Sequence, residues 1–219
     1  MCKKKKNLPA LERRNYAFEV RAEENEQSGA TITGRPIVYG SETDIGGMFA
    51  EIIEPGALDG ADLSDVRFLV NHDLSRIPLA RSRGNGENST MQLTPDDDGM
   101  LMRANVDTAN NATARELHSA VTRGDVTGMS FMFSVADERW EDVGGDYPTR
   151  HIIKIGSVIE VSAVTFPAYE DTEINARGGA LESARAALES AKKAERGKKL
   201  ESVPDELALA KAKNKIYMF

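Results

Sequence analysis

A chain of 219 residues with 40% apolar side chains can bury one sizeable core, and its net charge of −7 excludes the basic footprint of a nucleic-acid-binding protein. No run reaches the roughly 18 apolar residues of a transmembrane helix, and no apolar stretch follows the basic start MCKKKKNLPALERR as it would in a signal peptide, so neither membrane nor export is expected. The single cysteine, Cys2, excludes an internal disulfide framework and fits a reducing compartment.

In chain order, residues 1–15 read as a basic flexible arm. YAFEVRAE (Tyr16–Glu23) alternates and is rich in β-formers, which predicts a strand. TITGRPIVYG (Thr31–Gly40) predicts a second, with a bulge or a sheet edge at the Gly-Arg-Pro interruption. SETDIGG reads as a loop, and MFAEIIEPGAL (Met48–Leu58) as a short strand ended by Pro55-Gly56. VRFLVNHD (Val66–Asp73) is the next strand, followed by PLARS and TMQLTP around the Gly/Asn-rich RGNGENS, and then by the turn DDDG before MLMRANV (Met100–Val106). Ala114, Leu117, Ala120 and Val121 fall on one face of a helix that Gly124 can cap. TGMSFMFSV (Thr127–Val135) is an apolar strand, ADERWEDVGGDYPTR a long polar hairpin loop, and His151–Tyr169 a long strand region with a break at Gly156. In the hairpin loop, Trp140 and Tyr147 are placed either to clamp an extended peptide or to fold the loop back on the body, and the second is the reading preferred.

From residue 178 onward the sequence is rich in Ala, Glu and Lys, strongly helical in propensity, and interrupted by Pro204. It holds nine Lys/Arg against six Asp/Glu, net +3, which leaves −10 on the rest of the chain. Such a basic tail is either a docking element or a solvated helix face. The predicted organisation is therefore an arm (1–15), a β-rich α+β domain (16–177) with one helix between its late strands, and a helical basic tail (178–219). Many short strands with Gly/Pro turns favour a barrel or sandwich over a doubly wound sheet.

Three positions carry candidate chemistry. His72 ends an apolar strand in NHD, Ser130 sits in an apolar strand two residues after Gly128 in GMSF, and Glu160 stands between Ile159 and Val161. A carboxylate in an apolar β-run needs a partner or an exposed position, because a bare buried charge is costly. Serine, histidine and a carboxylate can satisfy one another structurally, and they are also the nucleophile, general base and orienting group of acyl transfer. Ser162 lies on the same strand face as Glu160 and is the competing nucleophile. There is no G-x-S-x-G elbow, cofactor motif or phosphate loop, and His72, His118 and His151 lack the spacing of a metal site.

The ordered set FAEIIEPGAL, VRFLVNHD…PLAR, DDDGM, an amphipathic helix, GDVTGMSFMF and IEVSAVTFPAY resembles the prohead (capsid maturation) serine proteases of tailed bacteriophages, a family related in fold to the herpesvirus assemblins. The resemblance spans residues 16–176. It implies a single closed β-barrel of the herpesvirus-protease kind, decorated by helices. It puts the general base on His72 and the nucleophile on Ser130. The herpesvirus relatives use a second histidine as third member; here Glu160 takes that role, with His151 in reserve. Backbone N–H groups near Thr165–Ala168 are the expected oxyanion donors.

The implied activity is a cofactor-independent endopeptidase acting in the host cytoplasm inside the procapsid. It would cut scaffold protein, or the scaffold-like segment of the major capsid protein, and itself, with AERGKKLESVP as a stretch suited to self-cleavage. The substrate would bind as an extended strand, by addition to a sheet edge. Homodimerisation is implied by the same relatives, and capsid or scaffold docking is the motive for the tail. The contrasting reading is a non-catalytic assembly or scaffolding factor that keeps the fold without using Ser130 or His72.

Overall fold

The computed structural model describes residues 11–16, 20–25, 29–165 and 179–202. Thirteen elements follow in order among them: β1 (Leu11–Tyr16), β2 (Val20–Asn25), β3 (Gly29–Val38), β4 (Glu42–Asp44), β5 (Ala50–Ile53), β6 (Val66–Val70), β7 (Ala80–Ser82), β8 (Met91–Asp96), β9 (Gly99–Val106), α1 (Ala112–Arg123), β10 (Gly128–Glu141), β11 (Thr149–Val164) and α2 (Gly179–Ser202).

The strands form two sheets. One is four-stranded and antiparallel, in the order β2-β3-β9-β8. Its β9 alternates buried Met100, Met102, Ala104 and Val106 with exposed Leu101, Arg103 and Asn105, so one face is apolar. The expected irregularity at Gly-Arg-Pro is present as a register shift between Gly34 and Ile37. The hairpin at DDDG depends on Gly99: its φ is +141°, and a Cβ there would lie 2.1 Å from the Ile37 carbonyl oxygen.

The other sheet has seven strands, ordered β1-β10-β11-β5-β4, with β6 also on β11 and β7 on β6. Its centre is the β10–β11 hairpin. One edge of β11 pairs antiparallel with β10, through register shifts between Met132 and Glu138. The other edge is divided: Thr149–Ile152 pairs parallel with β5, and Glu160–Ala163 parallel with β6. Between these two, the loop after β5 continues the pairing through Ile155 N–H to Ala57 C=O (2.8 Å), Asp62 N–H to Gly156 C=O (2.9 Å) and Val158 N–H to Asp62 C=O (3.1 Å). A single long strand thereby organises most of the chain.

The expected closed barrel is not what forms. Among the described residues neither sheet closes on itself; β1, β4 and β7 end the branches of one and β2 and β8 end the other. The physical reason lies where β7 approaches β8. With only three residues, β7 makes no ladder with β8; Thr90 N–H bonds Arg81 C=O (2.9 Å), Arg81 N–H bonds Thr90 Oγ1 (2.9 Å), and the Asn85 amide brackets Leu93, donating to its carbonyl (2.7 Å) and accepting its N–H (2.9 Å). One backbone bond and these side-chain bonds stand in for a strand ladder, so the sheets pack face to face rather than merge.

The core lies between them. Ile32, Ile37, Met91, Met100 and Met102 of the small sheet meet Phe68, Phe131, Phe133, Ile152, Ile155 and Val161 of the large one. The Phe131 and Phe133 rings stack at 4.6 Å, and each such buried side chain contributes about 1.5–3 kcal/mol. The predicted helix is α1. Ala114, Leu117 and Val121 are buried, Asn111 accepts the Ala114 N–H at 3.2 Å as N-cap, and Gly124 caps the other end with φ +78°.

Several boundaries differ from expectation. Leu11–Tyr16 is a strand where the sequence reads largely as arm, and β4 lies in the expected SETDIGG loop. The polar hairpin loop is short, because β10 runs on to Glu141 and β11 begins at Thr149. No break occurs at Gly156; its missing Cβ admits Ser134 Oγ, which would be 2.9 Å from such an atom. Trp140 does fold back: its ring meets Phe49 edge-on at 5.0 Å, and the Tyr147 hydroxyl bonds Asp44. The second helix, α2, buries Ala184 and Leu188 with Ile45 and Phe49 in a satellite cluster. The expected arm residues 1–10, strand residues 166–169 and tail residues 203–219 lie outside the described residues. No described helix is long and apolar enough to cross a membrane.

Candidate active site

The NHD motif is a turn rather than the end of a strand. β6 stops at Val70, and Asn71 and His72 both take left-handed backbone, with φ +50° and +57°. Such a pair of residues is held only by specific bonds. Asn71 N–H donates to Ala163 C=O at 2.9 Å, continuing the β6–β11 pairing by one residue. The Asn71 side chain clamps Thr165, accepting its N–H at 2.9 Å and donating to its Oγ1 at 3.0 Å. Asp73 then accepts the Ser75 N–H at 3.0 Å. The asparagine fixes the turn to β11, the aspartate closes it, and the histidine between them is aimed.

Its target is Glu160, a fully buried carboxylate. Glu160 Oε1 bonds His72 Nδ1, and Oε2 accepts from Ser162 Oγ at 2.6 Å. Ser162 Oγ in turn accepts the His72 backbone N–H at 3.1 Å. These bonds make a closed ring in which the carboxylate fixes the imidazole and the serine fixes both. An ionised carboxylate only accepts, so a ring facing one places its proton on Nδ1 and leaves Nε2 as the acceptor nitrogen. That is the tautomer a general base requires.

Ser130 lies on the neighbouring strand, opposite Ser162 in the β10–β11 register. Directly opposed residues in antiparallel pairs have Cβ atoms roughly 4.5–5.5 Å apart on the same face. Ser130 is fully buried, and its hydroxyl donates to the Arg14 carbonyl of β1 at 2.6 Å. The structure thus brings His72, Glu160, Ser162 and Ser130 together on two adjacent strands and one turn. Ser162 contacts the carboxylate and the histidine backbone, which is the position of a supporting group.

His151 is not part of this group. It sits in the first turn of pairing on β11, its Nδ1 2.6 Å from Glu54 Oε1. His118 lies on α1, 3.2 Å from the Glu23 carbonyl oxygen. Of the expected oxyanion donors, the Thr165 N–H is taken by Asn71, and Phe166–Ala168 lie outside the described residues.

Sequence reasoning missed a second buried polar cluster. Arg14 of β1 bonds Glu51 of β5 through Nε and, at 2.7 Å, through Nη2. Arg150 of β11 bonds Glu12 of β1 at 2.6 and 2.8 Å, Glu51 at 3.0 Å, and Glu138 of β10 at 2.8 Å. Glu12, Arg14, Glu51 and Arg150 are each at most 5% exposed. Burial alone lowers an arginine's proton affinity, but the carboxylates outweigh it and hold both guanidinium groups above their ordinary value. Burial likewise pushes Glu12 up, yet the Arg150 hydrogen bond and the two positive charges prevail and hold it below the usual carboxylate range. One signal was legible: Glu51, like Glu160, is a carboxylate flanked by apolar strand residues.

Known proteins match this chain at the level of sequence. The prohead protease of Enterobacteria phage HK97 is 32% identical over 130 residues, covering 58% of this chain and 52% of that protein. The chain thus spans about half the length of the curated relative it matches. No solved structure gives a match. The family model described as caudovirus prohead serine protease matches residues 16–186, a stretch that contains His72, Ser130, Glu160 and Ser162. The chain belongs to the caudovirus prohead serine protease family.

Proposed function

We propose that this chain is a serine endopeptidase of phage capsid maturation, with Ser130 as nucleophile, His72 as general base and Glu160 as the group that orients it. The observation that carries the reading is the His72–Glu160 pair: a histidine on a clamped left-handed turn, bonded through Nδ1 to a fully buried carboxylate, one strand away from a buried serine. Burying polar groups of this kind carries a desolvation cost that apolar residues would avoid, which supports a chemical role for them. Ser130 Oγ attacks the scissile carbonyl carbon while its proton passes to His72 Nε2; the same nitrogen protonates the leaving amine. Water then repeats the sequence on the acyl-enzyme. Glu160 stabilises the imidazolium that forms in each half-reaction.

The substrates are the major capsid protein, at its scaffold-like segment, or a separate scaffold protein, together with the protease itself; the site of action is the procapsid interior. The test is intact mass against time for wild type and Ser130→Ala, each with its co-expressed capsid protein. The reading requires shortened products from wild type and none from the variant. Equal cutting by both would move the nucleophile to Ser162. No cutting by either would favour the assembly-factor reading.

A further inference from the structure

Ser130 has no accessible surface, and what lies along its strand is the protein's own β1. Asn15 is opposite Ser130 in the antiparallel pairing, and the carbonyl that receives the Ser130 hydroxyl belongs to Arg14. A serine nucleophile works on the carbonyl of an extended chain laid beside it. Here that place is already taken by an extended chain.

The way β1 is held is unusual for a strand at the end of a sheet. Leu11 is 47% exposed, and the side chains that anchor the strand are Glu12 and Arg14. They insert into charges supplied by two other strands, Glu12 onto Arg150 of β11 and Arg14 onto Glu51 of β5, and they also pair with each other at 2.5 Å. The receiving half stays connected without β1, because Arg150 also bonds Glu51 at 3.0 Å and Glu138 at 2.8 Å. It is therefore a preformed seat with a cation for an acidic side chain and a carboxylate for a basic one, two residues further along. The family match starts at Tyr16, so Leu11–Asn15 lies outside the matched stretch.

We propose that the edge of β10 from Met129 to Ser134 is the substrate-binding edge, occupied in this state by β1 as a resident stand-in, and that the strand which displaces it is an extended capsid-protein segment carrying an acidic and a basic side chain two residues apart, read by Arg150 and Glu51. The proposal rests on the protease reading for its substrate, but the binding edge is testable without catalysis. The main-chain ladder with β10 supplies affinity, and the buried charge pair supplies selection. The chain as folded is latent, and release of β1 uncovers Ser130.

The experiment locks β1 in place. Leu11 and Ser134 are register partners, so Leu11→Cys with Ser134→Cys, in a Cys2→Ser background, ties β1 to β10 under oxidation and frees it on reduction. Two readouts are taken in both redox states: binding of a fluorescent peptide of residues 9–17 to the Ser130→Ala form, and cleavage of capsid protein by the Ser130 form. The expected result is at least a tenfold loss of both on oxidation, restored by reductant, and at least tenfold weaker binding of a peptide with its Glu12 and Arg14 positions exchanged. Binding and cleavage within twofold between the two states would overturn the proposal, as would a peptide that binds neither. Redox-dependent binding with no cleavage in either state would uphold the edge and sink the protease reading instead. As a variant without engineered thiols, Arg14→Glu places like charge against Glu51 and should raise peptide binding and labelling of Ser130 by a fluorophosphonate at least tenfold; unchanged values would overturn the release of β1.

Discussion

Glu160 has two oxygens with different duties, one toward the His72 ring and one toward Ser162, and substitutions separate them. In Glu160→Gln an amide can accept through only one atom and donates through the other, so Nδ1 no longer faces an anion and the tautomer is lost. We expect kcat to fall about 10⁴-fold with the fold intact, the size seen when a triad carboxylate becomes an amide. Ser162→Ala is a different case. It deprives a buried carboxylate oxygen and the His72 N–H of their partner, at a cost of about 1–3 kcal/mol in stability. Because Ser162 touches no ring nitrogen, the variant should keep measurable turnover where Ser130→Ala keeps none. Single-turnover cleavage of capsid protein, read beside urea unfolding, decides the matter: a Ser162→Ala enzyme as dead as Ser130→Ala would make Ser162 the nucleophile. At this scale the sequence was informative where residue type and context conflicted, as with Glu160 between Ile159 and Val161. It was silent on Glu12 and Arg14, because charged residues near a basic terminus look the same whether they are solvated or inserted into a buried network.

The turn after β6 shows how an element can be misread and its motif still understood. VRFLVNHD continues a β-pattern through Asp73, and nothing in local propensity announces two left-handed residues in a row. What ends the strand is tertiary, the Asn71 clamp on Thr165 across 94 positions of sequence. Asn71→Ala should lose the clamp and also place a β-carbon-bearing residue without asparagine's tolerance at φ +50°, for a total of about 2–4 kcal/mol. Asn71→Gly should lose only the clamp and recover about 1 kcal/mol of that. Urea midpoints measure the difference; equal midpoints would mean that the left-handed backbone at Asn71 is not under strain. In both variants the imidazole loses its aim, so kcat should fall while KM changes little. Other elements were legible because their signals are local: α1 from its apolar face and Gly124, and the Gly34 bulge from its Gly-Arg-Pro. The forked pairing of β11 was not legible, because one strand serving β5 and β6 at its two ends leaves no trace in periodicity. That fork, with side chains bridging β7 to β8, separates two packed sheets from the closed barrel that the family resemblance implied.

At the scale of the whole molecule, the buried charges join four strands that are far apart in sequence: β1, β5, β10 and β11. Breaking one partner of such a set costs about 3–5 kcal/mol, because the remaining charge stays buried without its counter-ion. The set also gives stability a pH dependence with a definite sign. Glu12 is held below its ordinary value of 4.5 in the folded chain. Its contribution is therefore complete above that value and is lost as pH falls through the lowered folded one, since the unfolded chain takes up the proton first. Glu12→Gln removes that titration and the charge together. It should destabilise the protein by about 3 kcal/mol at pH 7 and make stability less steep in acid, so that the curves of wild type and variant converge as pH falls through the lowered folded value. The single tryptophan, Trp140, reports on this place, because its ring lies 5.7 Å from the Arg150 guanidinium. Urea titrations followed by its fluorescence from pH 7 to pH 3 give both curves. Convergence assigns the acid loss to the carboxylate that ties β1 to the body, and with it the pH at which the strand covering Ser130 loosens; parallel curves would place the titrating group elsewhere and leave β1 held by its pairing with β10 alone.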